Sequence, residues 1–389
     1  MTKRAAAKSE RLEAERPEAA NARRIVIKIG SGVLTQDGRL RTSVVSGIAR
    51  QVSLIAEAGR EVVLVSSGAI AMGASRLGWD HPGRSIPEKQ AAAAVGQVGM
   101  VELWRKRFAR HDREVAQVLL TRGGLDDRER FLNARRTLGK LLALGVVPIV
   151  NENDTVATEE IRFGDNDNLS STVVNLVGAD LLVIVTDVDG LFKEPPGTSD
   201  TRNEIFDVVD KVTPTVERAA GGSESAFGRG GMITKLQAAK SAASSGAATV
   251  LCNGARRNVL LRVAEGAAEG TLFRAGPRMR GRRHWLAFTA RPRGTLSCDA
   301  GATQALQGRG RSLLPAGVVA VEGRFGVGDP IECAGPDGKT FARGLAAYAS
   351  DDIERIMGSS TKQIDRVLGY SNGDEVIHRD DLVLLEDRS

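Results

Sequence analysis

Cysteine, aromatic residues and long apolar runs are all scarce in this 389-residue chain, and each shortage removes a class of function. The three cysteines, Cys252, Cys298 and Cys333, are odd in number, far apart and without CxxC spacing or a histidine partner. They exclude a disulfide scaffold and a structural zinc site, and a reducing, cytoplasmic setting is expected. No segment supplies the ~20 uninterrupted apolar residues of a membrane-spanning helix, so a soluble chain with no membrane partner is expected. Aromatic residues make up 4% of the chain, so aliphatic packing must fill the core, and Trp79, Trp104 and Trp285 read as packing residues. His81, His111, His284 and His378 are scattered and read as structural or exposed. The P-loop order G-x-x-x-x-G-K-[ST] and the spacing of an EF-hand are both absent, so any nucleotide site follows another architecture.

What remains is ordinary globular material, with 42% hydrophobic and 26% charged residues. The length favours a larger domain plus a smaller one. The formal charge of +6 is concentrated in the stretch from Arg274 to Arg293 and does not by itself indicate nucleic acid. Residues 1–22 mix Lys, Arg, Glu and Ala without an apolar stretch and read as a flexible N-terminal extension.

Short β-branched runs alternate with helical periods. Ile25 to Ile29 and Glu61 to Val65 read as buried strands, and Val44, Ile48, Val52 and Ile55 recur at helical spacing between them. The pattern continues with strands at Val115 to Leu120, Val146 to Val150, Leu181 to Val185 and Thr249 to Cys252. Helices are expected over Asn133 to Leu144, Leu169 to Val177 and Thr234 to Ser245. Such alternation predicts an α/β fold, a three-layer αβα sandwich with a mainly parallel sheet and ligands at the carboxyl ends of its strands. After Arg274 the texture becomes Arg-, Gly- and Pro-rich, then turns into short apolar runs punctuated by glycine, which predict a small β-barrel-like module.

The polar loops sit at predicted strand ends. Lys28-Ile29-Gly30-Ser31 can present backbone N–H groups and a point charge to an anion, or be a solvated turn. Ser66-Ser67-Gly68 ends the next strand in the same way and reads as part of a shared crevice or as a plain turn. Asn151-Glu152-Asn153-Asp154 and Gly164-Asp165-Asn166-Asp167-Asn168 form the densest polar clusters, fit for pairing with an ammonium or a carboxylate, or for Asx turns. Thr186-Asp187 ends a strongly apolar strand. Gly228-Arg229-Gly230-Gly231-Met232-Ile233-Thr234-Lys235 runs into a helix and can wrap phosphates or form a lid without a ligand.

In this order the segments VIKIGSGVL, VSSGAIAMG, LLTRGGLDDRERFLNAR, VVPIVNENDTVAT, FGDNDNLS, TDVDGLF and GGMITKLQAA resemble the glutamate 5-kinase branch of the amino acid kinase family. The stretch from GTLSCDAGATQAL to IDRVLGY resembles a PUA domain. The resemblance implies ATP-dependent phosphorylation of the γ-carboxylate of L-glutamate with Mg²⁺, the opening step of proline biosynthesis. It implies a catalytic domain over 23–273, a linker over 274–293, a PUA domain over 294–373 and a C-terminal tail over 374–389. Lys28 and Lys235 would contact the transferring phosphoryl group, and Asp167 would hold both lysines. Ser67, Asp154 and Asn166 would bind glutamate, with Asn151 and Asp165 close by. Thr186, Asp187 and the loop of Arg229, Gly230, Gly231, Met232, Ile233, Thr234 and Lys235 would bind ATP, while Gly30 and Gly68 would lend backbone donors. No metal ligand is named, because Mg²⁺ keeps much of its hydration. Arg229 departs from the small hydroxyl residue usual in that loop, which puts a side-chain contact there in doubt. The resemblance also implies inhibition by L-proline and a homo-oligomer, dimer or tetramer. Two alternatives stand beside it: a kinase for aspartate or acetylglutamate, and an RNA-binding protein acting through the PUA-like module.

Overall fold

The computed structural model describes residues 15–36, 39–156, 166–194, 204–221, 231–279 and 281–385. The chain divides into two units, 1–121 with 132–278 and 122–131 with 279–389.

In the first unit the strands are β1 (Arg24–Ile29), β2 (Thr35–Gln36), β3 (Arg39–Leu40), β4 (Glu61–Ser66), β5 (Val115–Leu120), β6 (Val147–Glu152), β7 (Leu181–Thr186), β8 (Val208–Val209), β9 (Ala248–Asn253) and β10 (Thr271–Phe273). They form an eight-stranded sheet in the order β5-β6-β4-β1-β7-β9-β10-β8, with β2 and β3 as a separate ribbon. The six strands from β5 to β9 along that order are mutually parallel, and only β10 and β8 run the other way. All six residues of β7 and of β6 are buried, as expected of parallel strands covered on both faces.

The helices up to residue 278 are α1 (Pro17–Ala20), α2 (Ser31–Leu34), α3 (Thr42–Glu57), α4 (Ala69–Arg76), α5 (Ile86–Phe108), α6 (Arg122–Leu125), α7 (Arg128–Ala143), α8 (Asn166–Val177), α9 (Pro214–Ala219), α10 (Met232–Ser244) and α11 (Val259–Glu265), of which α6 and the first residues of α7 belong to the second unit. Side chains alternate across β1, so Ile25, Ile27 and Ile29 share one apolar core with residues of α3, α5 and α11. Val26 and Lys28 therefore face the opposite layer, where α8 and α10 lie on the sheet. That parity aims a lysine at the start of α8.

Helix α5 carries no apolar stripe and is the longest element that hydrophobic periodicity does not reveal. Its legible mark is its start, where Ser85 and Glu88 form a capping box around Pro87. It packs tightly on α4 through small residues. A Cβ on Gly96 would lie 1.8 Å from the Ala69 carbonyl oxygen, and one on Gly73 would lie 1.7 Å from that of Ala92.

Residues 15–22, expected as part of a flexible extension, are docked. Arg16 is 3% exposed and its guanidinium donates to the carbonyls of Glu269 and Gly270 at 2.5 and 2.9 Å and to Asp207 Oδ1 at 2.6 Å. Carbonyl acceptors stabilise a buried guanidinium that composition alone assigns to solvent.

The second unit contains α12 (Gly281–His284), β11 (Gly294–Cys298), α13 (Ala300–Arg309), β12 (Val318–Gly323), β13 (Pro330–Ala334), β14 (Thr340–Leu345), α14 (Ser350–Ile356), α15 (Ile364–Leu368) and β15 (Leu382–Leu384). Its sheet has the order β12-β11-β13-β14-β15 around a separate core that includes Leu296, Ile331, Phe341 and Tyr348. Two stretches differ from expectation. The linker at 274–293 holds α12 and a π turn whose Trp285 is 2% exposed and donates its indole N–H to the Leu125 carbonyl at 3.0 Å. The stretch expected as a tail supplies β15, which pairs with β14, because Val376, Ile377, Leu382 and Val383 complete the core.

Candidate active site

Three charged side chains from three elements meet in the first unit. Lys28, next to last in β1, reaches Asp167 Oδ1 with its Nζ at 2.5 Å. Lys235, in the first turn of α10, reaches Asp167 Oδ2 at 3.1 Å. Asp167 belongs to the first turn of α8, where the helix macrodipole favours a negative charge. Its side chain is 4% exposed, against 7% for Lys28 and 15% for Lys235. Burial pushes the Asp167 carboxyl up, but the two ammonium groups, with hydrogen bonds from Lys28 and Thr234, override it and hold the carboxyl below its ordinary range. Thr234 Oγ1 donates to the same Oδ2 at 2.8 Å. Two ammonium groups on one carboxylate leave a net positive locus at the sheet edge, able to receive an anion.

Beside this cluster runs a relay of amides. Asn166 Nδ2 donates to the Ser66 carbonyl at 3.1 Å, to Ser67 Oγ at 2.9 Å and to Asn151 Oδ1 at 2.9 Å. Asn151 Nδ2 in turn donates to Gln97 Oε1 at 2.9 Å. Trp104, fully buried, donates its indole N–H to Ser66 Oγ at 3.2 Å. Gln97 and Trp104 are two turns apart on α5, and neither was legible as a site residue. The Gly68 backbone has φ +104°, which a residue with a Cβ rarely adopts, and turns the chain from Ser67 into α4.

The remaining predicted residues fall along the same sheet edge. Gly30 N–H donates to the Val185 carbonyl at 3.1 Å, so the β1 and β7 ends are tied together. A Cβ on Gly30 would lie 4.0 Å from Lys28 Nζ. Thr186 ends β7 with its hydroxyl donating to Asp187 Oδ1 at 3.1 Å, and Asp187 is exposed beside Gly32. Asp154 is half-buried on the turn after β6, one residue beyond Asn153, whose N–H donates to the Leu120 carbonyl at 2.8 Å. Gly231, Met232, Ile233 and Thr234 form the start of α10, and Lys235 Nζ also donates to the Gly231 carbonyl at 3.0 Å. Asp165, Arg229 and Gly230 lie outside the described residues.

Comparison with known proteins gives consistent relatives. The profile of the Amino acid kinase family matches residues 23–253, and that of the PUA domain matches residues 294–368. A "Glutamate 5-kinase" of Geobacter sp. strain M21 is 49% identical over 93% of this chain and 98% of its own length. The protein of the same name from Geobacter sulfurreducens is 50% identical over 93% of this chain and 98% of its own, and that of Ralstonia pickettii is 49% identical over 94% and 98%.

Proposed function

We propose a reaction for this chain from one premise: it belongs to the amino acid kinase family and, within it, to the glutamate 5-kinases. It transfers the γ-phosphoryl group of ATP to the γ-carboxylate of L-glutamate, forming L-glutamyl 5-phosphate, the opening step of proline biosynthesis. Relatives matched over nearly their whole length favour neither another amino-acid kinase nor RNA binding as the main activity.

The observation that carries the reading is the Asp167 carboxylate shared by Lys28 and Lys235. A γ-carboxylate oxygen attacks the γ-phosphorus, the bond to the β,γ-bridging oxygen breaks, and ADP leaves. No proton moves, because the nucleophile is already ionised, so no general base is required. Catalysis reduces to alignment and to offsetting negative charge as it spreads over the phosphoryl oxygens. Lys28 and Lys235 supply that charge, and Asp167 sets their separation. Ser67, Asn166, Asn151, Asp154 and Asp165 bind glutamate, with Asp154 facing its ammonium group, and Gly68 lends an N–H donor; the Gly30 N–H, expected as a second donor, is taken by the Val185 carbonyl, so Gly30 serves by keeping the backbone slim beside Lys28. Thr186, Asp187 and the 229–235 loop hold the nucleotide. Among the described residues no group of three acidic, histidine or cysteine side chains is placed to hold a metal ion. Mg²⁺ would be carried in with ATP and would help offset the phosphate charge, and no residue of this chain is assigned as its ligand.

Family membership also supports inhibition by L-proline and assembly as a homo-oligomer, dimer or tetramer. Three buried free thiols support a reducing, cytoplasmic setting. Among the described residues no helix is long and apolar enough to cross a membrane. The test is incubation of purified protein with ATP, Mg²⁺ and glutamate, trapping the acyl phosphate with hydroxylamine. Glutamyl hydroxamate should form with glutamate, and not with aspartate or N-acetylglutamate; equal yields from all three would refute the substrate.

A further inference from the structure

We infer that Gln97 is a positioning residue for the glutamate pocket, acting through Asn151 and Asn166; the inference rests on the kinase reading above. Gln97 is 9% exposed on α5, and its neighbour Gly96 allows the helix to lie against α4 with no side chain between. Only its Oε1 is engaged, by Asn151 Nδ2 at 2.9 Å. Its Nε2 is buried without a partner among the described residues. A buried amide with an unmade hydrogen bond destabilises the fold relative to an apolar side chain of the same volume, so packing does not account for it.

The polarity of the relay does. The Ser66 carbonyl can only accept, so the group that meets it at 3.1 Å must be the nitrogen of Asn166. That same nitrogen meets Asn151, which must therefore present Oδ1 and turn its own nitrogen toward Gln97. Gln97 has to answer with an oxygen. If it offered nitrogen instead, Asn151 would rotate and set donor against donor at Asn166.

The other end of the relay is the pocket. With the two hydrogens of its nitrogen shared among three acceptors, Asn166 keeps Oδ1 as an acceptor suited to an ammonium group. Ser67 Oγ receives a hydrogen from Asn166 at 2.9 Å, so its own proton is left for a carboxylate. An acceptor and a donor side by side match the two charged groups of an α-amino acid. Gln97 thus sets the hydrogen-bond sense of the pocket without touching the substrate.

Gln97→Met conserves volume and removes the acceptor, whereas Gln97→Glu keeps an oxygen toward Asn151. We expect Gln97→Met to raise the glutamate KM about tenfold with the ATP KM within twofold, and Gln97→Glu to recover most of that change. In an Asn151→Ala background, Gln97→Met should add less than twofold, since the effect passes through Asn151. Thermal unfolding checks that the variants fold, and the paired comparison reads the coupling even where both are less stable. A normal glutamate KM in Gln97→Met overturns the inference. So does a parallel rise in the ATP KM, a Gln97→Glu variant as impaired as Gln97→Met, or full additivity with Asn151→Ala. Turnover of glutamate by the unaltered protein, run alongside, separates failure of this inference from failure of the kinase reading.

Discussion

Replacing Asp167 by asparagine removes one negative charge at nearly constant volume and leaves two ammonium groups facing each other. Held on opposite oxygens of one carboxylate, they lie roughly 5 Å apart, and at an effective dielectric constant of about 20 their repulsion is about 3 kcal/mol. An asparagine can accept from one lysine but presents nitrogen to the other, at the contact now made at 2.5 or 3.1 Å. Breaking a buried ion pair by removing one partner costs about 3–5 kcal/mol, and the side chains here are 4%, 7% and 15% exposed, so little of that is lost to solvent screening. A drop of that size lowers the unfolding midpoint of a domain this large by roughly 6–20 °C. Separation of the lysines should also lower kcat by about 100-fold or more, equivalent to about 2.7 kcal/mol of transition-state stabilisation. Acid provides a second check. The Asp167 carboxyl lies below its ordinary range in the folded protein, so its stabilisation is complete above that range and disappears as pH falls through the native value. Asp167→Asn should therefore lose less stability on acidification than the unaltered protein. Calorimetry, acid titration and the hydroxamate assay measure the three effects. An Asp167→Asn variant with unchanged midpoint and more than a tenth of normal turnover would refute the reasoning.

Lys28→Ala and Lys235→Ala should each lose most turnover while remaining folded, and near-normal hydroxamate yield from either would defeat the proposed charge compensation. Gly96→Ala places a methyl group 1.8 Å from the Ala69 carbonyl oxygen, and forcing α5 away from α4 should cost about 1–3 kcal/mol in denaturant unfolding. An unchanged unfolding midpoint would show that the helices part freely. All three cysteines are buried, and burial, with Glu269 nearby, pushes the Cys252 thiol up to about 12. A hydrogen bond from Cys333 shifts Cys298 the other way, below its ordinary range, so what protects all three is lack of access. The native protein should react negligibly with a thiol reagent at pH 8, and three thiols should appear on denaturation; rapid labelling of the native protein would contradict this.

Local physics made much of the catalytic unit legible in advance. Apolar β-branched runs that end in polar loops mark β1, β4, β6 and β7, because a parallel strand buried on both faces leaves no polar position until its end. The same rule placed Lys28, Ser67, Asn151 and Thr186 at strand ends, and helical spacing located α3 and α8. Where burial and periodicity part company, the sequence was silent. Helix α5 is rich in Ala and Gly and shows no stripe, so Gln97 and Trp104 carried no local signal. Arg16 and the stretch around Trp285 lie in charged surroundings that read as a flexible extension and a linker, although carbonyl acceptors hold the first and the packing expected of Trp285, with its indole hydrogen bond, holds the second. Residues identified one strand or loop at a time also say nothing of their mutual distances. Lys28, Asp167 and Lys235 come from β1, α8 and α10, and only the order β4-β1-β7, with α8 and α10 on one face, brings their charges onto a single carboxylate. Sequence periodicity reports which way a side chain points from its own element; which partner it meets is set by crossover connections, and those are decided by packing of the whole domain.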